Sequence, residues 1–190
     1  MARKALNFAA FYAGYLACVF GAGRGQAQAA TATAFVLLGM HLWQAPERWR
    51  EARLLGAAGI LGLAAESAHT LLGFVEFSGR ELSVGSVPVW MIALWMLFAS
   101  TLRFSLSWLA GRYALGAALG SVAGPFSYYA AVPIGAVRLH PDVSYSLLGL
   151  AVVWAMATPL LLRLAALSQP PQPRMAARAR DVSEKSSSST

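Results

Sequence analysis

Six apolar runs of bilayer-spanning length follow one another in this 190-residue chain, over 5–23, 27–43, 54–74, 87–109, 113–137 and 145–162, with short polar breaks between them. A helix needs about 20 apolar residues to cross a hydrocarbon core. Only helices and closed barrels leave no backbone polar group stranded there. The pattern therefore predicts an all-α, polytopic membrane helix bundle of about six transmembrane helices over residues 1–167. Composition agrees: 57% of residues are hydrophobic and 12% charged, with mean hydropathy +0.54, against about 25% charged in a soluble domain. From residue 168 the chain turns to Pro, Arg and Ser. Such a segment cannot bury a core, so 168–190 reads as a disordered cytoplasmic tail.

The net charge is +7, but the basic residues lie between the apolar runs and in the tail and form no single dense face. Nucleic acid is therefore not the expected partner; anionic lipid headgroups are. With the amino terminus in the cytoplasm, twelve Lys and Arg residues fall inside and three, Arg24, Arg80 and Arg138, outside. The positive-inside rule then places both termini in the cytoplasm. Trp43, Trp49 and Trp108 fall at the inner interface and Trp90 and Tyr145 at the outer, the expected aromatic belt. A signal peptide cut after Ala27-Gln28-Ala29 is a rival reading of the first run. The apolar stretch is too long for a typical signal. Cys18 is the only cysteine, which excludes an intrachain disulfide and a thiolate metal cluster, and it reads as a small packing residue.

Glu66 is the only acidic residue within any of the six runs, and His69 follows one helical turn later. A charge at that depth is costly unless it is paired or faces a wet cavity, so both are intramembrane polar candidates. Arg103 lies near the inner end of the fourth run and is the third. At 1.5 Å per residue, Glu66 stands about 20 Å above Arg53, Gly124-Pro125 about 18 to 20 Å above Arg112, and Arg103 about 13 Å above it. Glu66 and the Gly124-Pro125 step thus share a level, and a Glu66 to Arg103 ion pair is within reach if the third and fourth helices are neighbours. Arg103 snorkelling to the headgroups and a protonated Glu66 are the competing readings.

Gly116, Gly120 and Gly124 recur every fourth residue and make a smooth face for helix packing. The stripe would serve packing within the chain or a homodimer equally well. Gly56, Gly59 and Gly62 offer a similar surface on the third run. Pro125 deprives the Ser121 carbonyl of its amide partner, and Pro159 that of Ala155, so Ser121, Gly124, Pro125 and Ser127 are candidates for a kink or cavity. Glu66-x-x-His69 has the spacing of a di-iron ligand pair, but that chemistry needs a second such pair and further carboxylates, which no run supplies. His41 lies too near the inner end of its run to share a haem with His69, and His140 reads as part of a solvated turn. No phosphate loop, nucleophile elbow or zinc-protease motif is present. Neither metal nor cofactor is expected.

Asn7 ahead of Leu16-Ala17-Cys18-Val19, the loop Glu47 to Arg53, Leu94-Trp95 running to Ser105-Leu106-Ser107-Trp108, and Gly124-Pro125-Phe126-Ser127-Tyr128 occur in one order. In these residues the chain resembles domain-of-unknown-function family 2878, small multi-pass proteins of the bacterial cytoplasmic (inner) membrane, over roughly residues 5 to 165. Members usually have Asn-His in place of Arg103-Phe104 and often Asp in place of Glu66; no histidine role carries over at the first site, and a carboxylate is kept at the second. The resemblance implies a link to lipid modification or envelope stress, because relatives are often encoded beside cyclopropane-fatty-acid-synthase-like proteins. Three functions follow as expectations. The preferred one is a non-catalytic partner or scaffold that contacts membrane lipid and a membrane or cytoplasmic protein. The alternatives are a small transporter using a Glu-Arg site, and an intramembrane lipid-modifying enzyme with Glu66 and His69 as acid and base.

Overall fold

A computed structural model describes residues 2–168, so the predicted tail, Ser168 apart, lies outside the described residues. The fold is all-α, with six α-helices among the described residues: α1 (Ala2–Gly23), α2 (Ala27–Gln44), α3 (Arg48–Leu71), α4 (Val89–Leu102), α5 (Tyr113–Ala131) and α6 (Val143–Leu167). Three of them, over Arg3–Gly23, Arg48–Leu71 and Val143–Leu167, are long and apolar enough to cross a membrane. The expected fourth span is shorter than its apolar run. Helix α4 stops at Leu102, turns occupy 103–106, and a 3-10 turn follows at Ser107–Leu109. Hydropathy carries on past the helix end because Phe104, Leu106, Trp108 and Leu109 are apolar, which is why the run looks unbroken.

Helix α4 is the centre of the bundle. It packs on α1, α2, α3 and α6, and Trp90, Ala93, Trp95, Leu97 and Ala99 are all buried. A helix apolar all round is one surrounded by protein. Trp90 departs from the aromatic-belt expectation: it is 1% exposed, and its indole N–H donates to the Ser78 carbonyl at 3.1 Å. Trp43, Trp49 and Trp108 are exposed.

Local chemistry sets the helix ends. Asp142 caps α6, accepting from the amides of Ser144 at 3.0 Å and Tyr145 at 3.3 Å; such a cap contributes about 1 kcal/mol. Helix α3 ends where Gly73 takes φ +71°, letting the Phe74 amide reach the His69 carbonyl at 2.9 Å and the Gly73 amide that of Thr70 at 3.1 Å. This is the Schellman arrangement, which a residue with a Cβ adopts only under strain. It brings Phe74 back against the bundle, where Gly149 of α6 leaves room for its ring.

The glycine stripe is used within the chain. On α5, Gly116 faces Leu162 and Thr158 of α6, Gly120 faces Thr158 and the Trp154 backbone, and Gly124 faces the Trp154 indole. All three are buried, so this stripe is not free to join two copies. Gly59 and Gly62 likewise admit Met96 and Trp95 of α4, whereas Gly56 faces open space.

The two ends of the bundle differ. At one, β1 (Val75–Phe77) pairs antiparallel with β4 (Val137–Leu139), tying the α3–α4 connection to the α5–α6 connection. A short hairpin joins β2 (Ser83–Val84) and β3 (Val87–Pro88) beside them. At the other end, the start of α1 meets the α2–α3 and α4–α5 connections: Arg3 donates to the Gln44 carbonyl and Lys4 to the Ser107 hydroxyl. This charged end also carries the start of α3 and the end of α6.

Candidate functional site

The polar side chains are inside and many large apolar ones are outside. Thr31, Glu51, Glu66, His69, Ser100, Thr101, Ser146 and Thr158 are buried, while Phe8, Phe35, Ile60, Val122, Phe126, Leu148 and Met156 are exposed. Large apolar side chains in such number on the outside, over polar ones inside, suit a hydrocarbon surround. Two separate polar clusters result, and α3 contributes to both.

The first surrounds Glu66, which is 0% exposed. Its Oε1 accepts from the Trp95 indole at 2.8 Å and from the Tyr128 hydroxyl, and its Oε2 lies 3.0 Å from His69 Nδ1. The partners come from α4, α5 and α3 itself. An ionised carboxyl accepts all three bonds, the one from His69 through an Nδ1 hydrogen, whatever its Nε2 carries. That Nε2 is buried with no hydrogen-bond partner among the described residues. Trp95 in turn stacks on Trp154, with ring centroids 4.6 Å apart. Gly124 abuts Trp154, and Pro125 stands one turn before Tyr128, so the Gly-Pro step serves the Glu66 shell by placing α5 and α6 around it. Of the other kink candidates, the Ser121 hydroxyl bonds the Ala118 carbonyl at 2.9 Å and the Ser127 hydroxyl that of Gly124 at 2.7 Å. The Ser127 carbonyl accepts from Tyr15 at 3.1 Å.

The second cluster closes the charged end. Arg103 donates to Glu51 at 2.9 Å and to Glu47 at 3.3 Å. The other Glu51 oxygen lies 2.8 Å from His41 Nε2. Asn7 lies 3.5 Å from His41 Nδ1, donates to the Ser100 carbonyl at 3.2 Å and accepts from the Ser105 hydroxyl at 2.8 Å. Glu51 is 1% exposed, and its two partners compensate the cost of burying its charge.

This cluster corrects the expected Glu66 to Arg103 pair. An unbroken helix through residues 103 to 112 would bring Arg103 toward Glu66; these residues turn across the bundle end instead, so Arg103 caps α4 and meets Glu51. Glu51 precedes Glu66 by 15 residues on one helix, or about 22 Å. The transport reading therefore lacks the Glu-Arg substrate site on which it was framed. The apolar run of α3 starts only at Leu54 and leaves Glu51 outside it, so nothing in the run pairs His41 of α2 with an acid. The helical spacing does reach Glu51: Glu51, Leu55, Ala58, Gly62, Ala65 and His69 recur every three or four residues on the buried face.

Away from these clusters, an open groove of about 510 Å³ lies at the charged end between α3 and α6, lined by Arg50, Arg53, Leu54, Ala57, Leu164, Leu167 and Ser168. Among the described residues no three His, Cys, Asp or Glu side chains gather to hold a metal ion.

An all-α bundle with polar groups turned inward and three helices able to cross a bilayer has the make-up of a helical membrane protein. The chain belongs to the family described as Protein of unknown function (DUF2878), whose model matches residues 4–160. No curated protein and no solved structure matches.

Proposed function

We propose that the protein is a non-catalytic component of the bacterial cytoplasmic membrane, with six spans and both termini in the cytoplasm, that contacts anionic lipid and supports a lipid-modifying partner. The observation that carries this reading is the saturation of Glu66: both its oxygens are hydrogen-bonded within the protein at 0% exposure. A general acid or base must reach a substrate proton directly or through one water. Glu66 instead cross-links three helices. A surface open to a ligand is the arginine-lined groove at the charged end. The charge asymmetry of the two bundle ends supports the orientation.

The test is the lipid composition of cells lacking the gene, measured beside cells that carry Glu66→Gln at the wild-type level. Deletion is expected to change the composition, and Glu66→Gln to leave it as in wild type. An unchanged composition on deletion overturns the reading. A Glu66→Gln strain that reproduces the deletion replaces it with the enzyme reading.

A further inference from the structure

We propose that the groove between the first turns of α3 and the last turns of α6 binds one anionic phospholipid, with Arg50 and Arg53 on its phosphate and Ala57, Leu164 and Leu167 against an acyl chain. Arg50 and Arg53 are three residues apart on one helix, so their side chains leave the same face. Arg53 makes no hydrogen bond or ion pair among the described residues, and Arg50 has only a 3.8 Å contact from its Nε to Glu47, whose other oxygen is engaged by Arg103. The site therefore holds unspent positive charge on two planar guanidinium groups, which match phosphate oxygens in pairs.

Polarity changes along the groove in the sense an amphiphile requires. On α3 the arginines lie at the charged end, and Leu54 and Ala57 follow toward the bundle middle. The level is that of the exposed Trp43, Trp49 and Trp108, the residues that mark a headgroup boundary.

The inference rests on the reading of the chain as a lipid-contacting membrane protein, but its test is independent of any deletion phenotype. The full-length protein in neutral detergent is offered phosphatidylglycerol or phosphatidylcholine, and retained lipid is counted by native mass spectrometry. Wild type should keep one phosphatidylglycerol in preference. Arg50→Gln with Arg53→Gln should lower that retention at least about tenfold, given the attraction of each arginine for an anionic surface. Ala57→Phe, which fills the apolar part and leaves the charges, should lower retention of both lipids. Arg24→Gln with Arg138→Gln, at the opposite end, should change nothing. The proposal is overturned if wild type retains no lipid or both lipids equally, if the Arg50/Arg53 variant elutes as a monodisperse protein and retains lipid like wild type, or if inorganic phosphate displaces the lipid. The last result would make the groove an ion site.

Discussion

Glu66 gathers donors from three helices onto one carboxylate, so graded substitutions should separate the loss of one bond from the loss of all. Glu66→Gln keeps an oxygen for Trp95 and Tyr128 but turns an N–H toward His69 Nδ1, which can no longer donate there. That exchange should destabilise the protein by about 1 to 3 kcal/mol. Glu66→Ala abandons every buried partner and should cost about 3 to 5 kcal/mol. Unfolding of the purified protein in detergent checks both, and equal losses would show that the carboxylate carries little of the packing. The importance of Glu66 was legible from its position in an apolar run. Its partners were not: Trp95 and Tyr128 lie 29 and 62 residues away, and hydropathy treats Trp95 and Tyr128 as ordinary apolar or interfacial residues.

Helix α3 shows what the sequence could and could not convey about an element. Its apolar run, its glycines and its stop before Gly73 are local features, and local chemistry produces them. Its start is not local. Hydropathy begins at Leu54, yet the helix begins at Arg48 because Glu51 is matched by Arg103 and His41 from other elements. The mirror case is α4, where apolar residues continue but the helix ends as Arg103 and Ser105 turn to Glu51 and Asn7. The glycines of α3 also predict opposite outcomes for one substitution. Gly56→Ala meets open space and removes a flexible residue from a helix, so it should stabilise by about 0.5 to 1 kcal/mol. Gly62→Ala drives a methyl into the Trp95 indole, straining the bond to Glu66, and should cost about 1 to 3 kcal/mol. Melting of the two variants beside wild type reads the sign of each; a loss from Gly56→Ala would contradict the open face.

The bundle as a whole has one end knit by charged groups and one by strand pairs. The proposed orientation puts the charged end in the cytoplasm. In a Cys18→Ala background, an impermeant maleimide should label Glu81→Cys from outside and should reach Ala110→Cys only after the membrane is opened. The reverse pattern would invert the topology, and labelling of both would deny that the bundle spans. The Glu66 shell, assembled from α3, α4 and α5, also has a consequence in time. Those helices leave the ribosome in order, and Tyr128 follows Glu66 by 62 residues. At about 5 to 20 residues per second, roughly 3 to 12 s pass before that donor exists. For the first part of this interval, roughly 1.5 to 6 s until Trp95 is made 29 residues on, His69, the one partner on the same helix, is the only member of the shell able to shield the carboxylate. The nascent chain therefore carries its own temporary counter-group, one turn away, until synthesis delivers the other two.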